Sequence, residues 1–135
     1  MEGVLMSRAT VEAECRETLG LVPKFIAELP DYLVESEWQS FKAIEFGETA
    51  IPNKYKELIG LAVSAVTRCR YCALFHTEAA KLFGATEAEI EEAVHYTKLV
   101  SGWSVYINGL QVDYDAFADE VHRVVDYITS QKAAA

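Results

Sequence analysis

Leu58-Ile59-Gly60-Leu61-Ala62-Val63-Ser64-Ala65-Val66 is apolar or small on every side of a helix, so it reads as a central helix buried all round by neighbours. Upstream, Pro52 sits where the first turn of a helix tolerates proline, which places this fourth helix between Pro52 and about Thr67. Downstream, the chain reverses at Thr67-Arg68, and a fifth helix starts near Cys69 and stops at Gly84. Thr86 with Glu89 three residues later forms a capping box for a long sixth helix. Its apolar series Ile90, Val94, Thr97, Leu99, Val100, Trp103 and Ile107 runs towards Gly109. Asp113 caps a seventh, which carries Phe117, Val121, Val124, Val125 and Ile128 to a frayed Gln131–Ala135 tail.

The first third of the chain is also helical. Val11, Cys15 and Leu19 share a stripe that follows Thr10 and ends at Gly20. A short helix begins at Pro23, and a third begins at Pro30-Asp31, with Leu33, Val34, Trp38, Phe41 and Ile44 at three- and four-residue steps before Gly47. No segment keeps a period of two, and no Asn-Gly or Asp-Gly turn offers a hairpin. The expected fold is all-α: a compact bundle of six or seven helices in a single domain spanning residues 1–135.

Composition narrows the function. The chain has 135 residues, 51% hydrophobic and 24% charged, which is an ordinary globular balance. Twelve Lys and Arg against 21 Asp and Glu leave a net charge of −9, which repels phosphate backbones and anionic lipid. Neither nucleic acid nor a membrane is expected as a partner. The apolar stretch Leu58 to Val66 is about half of the roughly 20 residues a membrane span needs. Met1-Glu2-Gly3 lacks the positive start of an export signal, so a cytoplasmic location is expected.

Three cysteines are too few for a disulfide scaffold. Cys69 and Cys72 form a C-x-x-C, which in a reducing compartment is either a redox dithiol or half of a metal site. His76 lies four residues beyond Cys72, so all three fall on adjoining turns of one helix face. The first turn of a helix favours negative charge, and a thiol there ionises more readily than usual. His76 can then serve as base to Cys72, or as acid once the thiolate has reacted. Glu57 leads into the apolar fourth helix, where a carboxylate is costly unless paired, and His76 on the returning helix is a suitable partner.

Glu57, Cys69, Cys72 and His76 read E-x(11)-C-x-x-C-x-x-x-H. This pattern resembles the active site of the alkylhydroperoxidase D-like (AhpD-like) branch of the carboxymuconolactone decarboxylase superfamily. The likeness continues through Gly84-Ala85-Thr86-Glu87-Ala88-Glu89-Ile90, Leu99-Val100-Ser101-Gly102, Tyr106 and Asn108-Gly109, covering about residues 45–118. The resemblance implies an all-helical subunit that assembles into trimers or hexamers. It also implies a thiol-dependent peroxidase, with a small hydroperoxide as substrate and an external thiol or dithiol as reductant. By the same resemblance Cys72 is the attacking sulfur and Cys69 the resolving one, while His76 relays protons and Glu57 orients His76. One position departs from the pattern: where alkylhydroperoxidase D carries a histidine just before the second cysteine, this chain has Tyr71. Part of that family's relay is therefore missing or replaced.

The leading expectation needs no cofactor and no metal. Two alternatives stay open at this level: a non-redox lyase of the carboxymuconolactone decarboxylase kind, and a structural module in which both thiolates, the imidazole and the carboxylate hold zinc. Cys15 has no activating neighbour and is expected to be a half-buried helix residue, and His95 and His122 are expected to be packing or solvated.

Overall fold

Three- and four-residue apolar spacing dominates this chain, and helices result wherever it holds. The computed structural model describes residues 7–133 and is all-α, with no strand among the described residues. The start Met1-Glu2-Gly3 and the last two residues of the tail, Ala134 and Ala135, lie outside them. Seven α-helices follow one another: α1 (Arg8–Leu19), α2 (Lys24–Ala27), α3 (Asp31–Phe41), α4 (Asn53–Thr67), α5 (Arg70–Leu82), α6 (Glu87–Gly109) and α7 (Tyr114–Ala133). None of the described helices is long and apolar enough to cross a membrane.

α1 begins three residues earlier than its apolar stripe suggests, because the Ser7 hydroxyl accepts the Thr10 N–H and caps it. Its Val11 and Cys15 meet Ile26, Val34 and Trp38 in a fully buried cluster, with Leu19, Val22, Leu29 and Phe41 packed around it. Cys15, expected to be half-buried, is completely enclosed there, and burial pushes its thiol above the ordinary range. The Trp38 indole N–H finds Glu14 at 2.9 Å, and Lys42 holds the same carboxylate at 2.5 Å. The one polar atom of the largest core side chain is thus satisfied at the core's edge.

α3 does not run on through Ile44 as its spacing suggests. At Lys42–Phe46 the winding widens into a single π-helical turn, closed by Gly47 N–H bonding to the Lys42 carbonyl at 3.0 Å. Gly47 is required there, since a Cβ would stand 2.4 Å from the Ala43 carbonyl oxygen. Two side chains of α4 hold this turn in place. Asn53 donates to the Phe46 carbonyl at 3.1 Å, and the Lys56 ammonium bonds the carbonyls of Ile44 at 2.5 Å and Gly47 at 2.9 Å.

α4 and α5 fold back on each other as a tight hairpin, and α6 lies against α4. The reversal takes two residues. Arg68 adopts the left-handed conformation (φ 58°, ψ 33°), and the Cys69 N–H reaches back to the Ser64 carbonyl at 3.0 Å. The starts of α4 and α6 are tied by Lys54 and Glu89, 2.8 Å apart, and Glu89 also closes the expected capping box with Thr86.

Burial of α4 is one-sided, not complete. Glu57, Leu61 and Ser64 are buried, but Ile59, Val63 and Val66 are 51%, 57% and 60% exposed. α6 and α7 bury no residue fully, so Trp103 and the apolar residues of α7 lie at the surface of the protomer. α7 is capped by the Asp113 carboxylate on the Ala116 N–H at 2.8 Å and continues to Ala133, past the point where fraying is expected. Trp38→Ala is expected to destabilise the chain by about 3–5 kcal/mol in urea unfolding at fixed protein concentration, whereas Tyr32→Ala at the surface stays within about 0.5 kcal/mol.

Candidate active site

The reversal at Arg68 delivers Cys69 to the N-cap position of α5, with Cys72 one turn in. Cys69 takes the role usually played by Ser or Asp: its sulfur accepts the Cys72 backbone N–H at 3.4 Å. The two sulfurs are 2.8 Å apart, close enough to share a proton. Accepting that proton from Cys72, together with the cap bond, holds the Cys69 thiol below its ordinary value. The same contact pushes the Cys72 thiol up. Cys69 is therefore the easier of the two to ionise, while Cys72 is the more exposed and faces the clefts.

His76 follows one turn beyond Cys72, and its Nδ1 meets Glu57 Oε2 across the hairpin at 2.7 Å. Glu57 is 1% exposed, so its carboxylate depends on this bond. A carboxylate only accepts, so Nδ1–H donates and Nε2 keeps its lone pair free. Gly60, one turn after Glu57, makes the approach possible. A Cβ at that position would stand 2.5 Å from both Cε1 and Nδ1 of the ring.

Two clefts meet at these residues. One, of about 600 Å³, is walled by Ile44, Ile51, Ile59 and Val63. The other, of about 350 Å³, is walled by Phe25, Phe41, Phe75 and Tyr71. Glu45, Cys72 and His76 line both. Phe75 packs edge-on to the His76 ring (5.2 Å, 84°), and Phe41 contacts Phe75 at 6.1 Å. Tyr71 is 73% exposed and rests under the Arg70 guanidinium, so the pair forms part of the rim of the aromatic cleft. His95 and His122 are exposed and remote from both clefts.

All four sequence-derived candidates come from the α4–α5 hairpin. Glu57 and His76 are bonded to each other, and Cys69 and Cys72 are in contact. The residue that sequence reasoning missed is Glu45, on the π-helical turn. One donor atom each of Glu45, Glu57 and His76 lie within 4.8 Å of one another. Its signal is slight: a single acid between the apolar residues Ile44 and Phe46. Among the described residues, the cluster with metal-ligand spacing is this trio, and it contains neither sulfur. A four-ligand site built from both thiolates, His76 and Glu57 is not assembled.

Comparison with known proteins agrees with this geometry. The model of the carboxymuconolactone decarboxylase family matches residues 28–113, well over half of the chain. The chain is 27% identical to the alkylhydroperoxidase AhpD core from Rhodospirillum rubrum, whose crystal structure superposes with a TM-score of 0.71 over 87% of this chain and 97% of that one. It is also 31% identical, over 61 residues, to uncharacterized protein 4 in the cox locus of Paracoccus denitrificans. That match takes in 45% of this chain and 55% of the relative, so the chain spans about half of the curated relative's length.

Gly60→Ala tests the hairpin geometry directly. Inside a helix this change normally stabilises by about 1 kcal/mol, but leaving a buried carboxylate unpaired costs roughly 3–5 kcal/mol. The expected outcome is a net loss of stability and loss of the downfield imidazole Nδ1–H proton in NMR. A variant more stable than wild type that keeps that proton would contradict the assigned role of Gly60.

Proposed function

The chain belongs to the carboxymuconolactone decarboxylase family, and from that premise we propose that it is a thiol-dependent peroxidase that cycles between a dithiol and a disulfide. The observation that carries this reading is the pair of sulfurs 2.8 Å apart at the start of α5, backed by the Glu57–His76 bond and open to an apolar cleft. A lyase needs no such pair, and a structural zinc module needs both sulfurs in one ligand set. The likeness to the alkylhydroperoxidase AhpD core supports the same reading.

In the proposed cycle Glu57 holds His76 with Nε2 free to accept the Cys72 thiol proton. The Cys72 thiolate attacks the terminal oxygen of a hydroperoxide. The S–O bond forms, the O–O bond breaks and the departing oxygen leaves as an alcohol after taking one proton. Cys72 is then a sulfenic acid. The Cys69 thiolate attacks that sulfur, the hydroxyl leaves as water with a second proton, and a disulfide remains. The dithiol has lost two electrons and the peroxide has gained them. An external thiol or dithiol reopens the disulfide by exchange. The walls of Ile44, Ile51, Ile59 and Val63 favour an organic hydroperoxide with an apolar body over hydrogen peroxide.

The roles of the two sulfurs divide accordingly. Thiolate stabilisation favours Cys69, while access favours Cys72, since Cys72 lines both clefts. Access decides which sulfur meets the substrate, and His76 removes the proton that Cys72 still carries. After one equivalent of cumene hydroperoxide, intact-mass analysis under native conditions is expected to show Cys69 and Cys72 protected from alkylation, and dithiothreitol to restore them. Cys15 should stay unlabelled throughout because it is enclosed. Cys69→Ser should trap a sulfenic acid on Cys72, whereas Cys72→Ser should leave Cys69 largely unoxidised. The reverse pattern would exchange the two roles. Unprotected cysteines in the wild type would rule out the peroxidase.

A second copy of the chain is the partner that α7 fits. Phe117, Val121, Val124, Val125 and Ile128 form one stripe along this helix, exposed by 37–56% and without a buried residue beneath it. An apolar stripe of that length on a chain this soluble in composition calls for cover from another protomer. Light scattering should give the wild type three or six times the protomer mass of 15.0 kDa. Val121→Lys with Val125→Lys should lower that mass while α-helical content persists. A wild type at the protomer mass would exclude the assembly.

A further inference from the structure

Glu45 is the group at the junction of the two clefts that the cycle above leaves unused. It sits on the π-helical turn Lys42–Phe46, whose widened winding sets its direction. Asn53 and Lys56 of α4 grip the carbonyls on either side of it. The residue next to Lys56 is Glu57, and one carboxylate oxygen of Glu57, one of Glu45 and a ring nitrogen of His76 lie within 4.8 Å of one another. Two negative charges held this close repel, and a single proton on one of them removes the repulsion. The fully buried Glu57 already accepts from the His76 N–H. The proton therefore belongs to Glu45, the member that reaches the clefts.

On the peroxidase reading above, the geometry points to Glu45 as the general acid that gives its proton to the departing alkoxide oxygen. The proton balance closes. The Cys72 thiol proton passes to His76 Nε2, the Glu45 proton passes to the alkoxide, and the imidazolium then gives its Nε2 proton to Glu45 across the clefts that both residues line, so that the Nδ1–H bond to Glu57 is kept. The net step is thiol plus hydroperoxide to sulfenic acid plus alcohol. Every group in the relay ends in its starting state, and no outside acid is consumed. This arrangement also supplies a titrating donor in a site where Tyr71 stands in place of a histidine.

The surroundings bear on its charge. Burial and then the neighbouring Glu57 carboxylate push the Glu45 carboxyl up, while His76 and Lys56 pull the other way. Cys72 and Tyr71 face it across the clefts. A raised carboxyl stays protonated to higher pH, so acid catalysis by it is present on the acid side and fades as pH rises through its folded-state value. Removing the group should remove that alkaline decline.

The experiment compares wild type, Glu45→Gln and Glu45→Asp by stopped-flow oxidation with cumene hydroperoxide from pH 5 to 9, alongside iodoacetamide alkylation of Cys72. In Glu45→Gln, oxidation should slow by roughly 100-fold at neutral pH with a flattened alkaline limb. Alkylation and the melting temperature should stay near wild type, and Glu45→Asp should recover part of the rate. Wild-type rate and profile in Glu45→Gln would overturn the assignment. Infrared difference spectra of wild type against Glu45→Gln add a readout independent of turnover: a protonated carboxyl band at neutral pH is expected, and its absence overturns the proposal. If the wild type is not oxidised at all, the peroxidase reading fails, while the infrared band still decides whether Glu45 holds the proton. Stoichiometric divalent metal in the purified protein, lost in Glu45→Gln, would also overturn it, because a cation would then bridge the carboxylates.

Discussion

The bond between Glu57 and His76 is the constraint on which the rest of the site depends. A carboxylate removed from water loses several kcal/mol of solvation, and only a partner of matching geometry offsets that loss. Here the partner lies nineteen residues on, on the next helix, at 2.7 Å. The bond can form only if α4 and α5 run back along each other with little separation. That needs a reversal as short as Arg68-Cys69 and a glycine at position 60, under the imidazole. Once those conditions hold, His76 is fixed in one tautomer and Cys69 must lie at the helix start. The placement of the candidate site thus follows from the way one buried carboxylate is satisfied.

The clefts beside this pair follow from the same hairpin. α4 presents Leu61 and Ser64 inward, which turns Ile59 and Val63 outward along the α5 side, where they wall the larger cleft. A helix apolar on every side has no strictly polar face to give to water. Its second apolar face is therefore left exposed, and Ile59 and Val63 line a cleft there. The apolar stripe of α7 poses the same problem on a larger scale, and the protomer alone does not cover it. The clefts and the proposed assembly both draw on apolar surface that this 135-residue chain leaves unburied.

The helices were legible because each rests on local spacing and local caps. Thr86 with Glu89 marks a helix start by chemistry within four residues, and it forms as read. The E-x(11)-C-x-x-C-x-x-x-H spacing placed the site on one hairpin, since offsets of three and four survive in any α-helix. The features that escaped depend on tertiary contacts. The π-helical turn arises because Lys56 and Asn53, from another helix, pull on its carbonyls, so nothing within Lys42–Phe46 announces it. Glu45 went unseen for that reason. The exposed side of α4 was misread because a run without polar residues looks the same whether neighbours or a cleft lie against it. The division of charge between Cys69 and Cys72 was hidden too, since it depends on which sulfur caps the helix and which donates.

That division of charge has a consequence for the direction of the proposed cycle. In the dithiol state, the Cys69 sulfur caps the positive end of a thirteen-residue helix, and that bond together with the Cys72 contact holds its thiol below the ordinary value. Forming the disulfide would leave the Cys72 N–H facing a weak, neutral acceptor. In the proposed cycle this difference favours the reduced state and makes the disulfide easier for an external thiol to open. The feature that eases ionisation of one sulfur would therefore also favour regeneration. The Glu57–His76 bond involves neither sulfur, so in the proposed cycle the proton route does not depend on a contact that disulfide formation breaks.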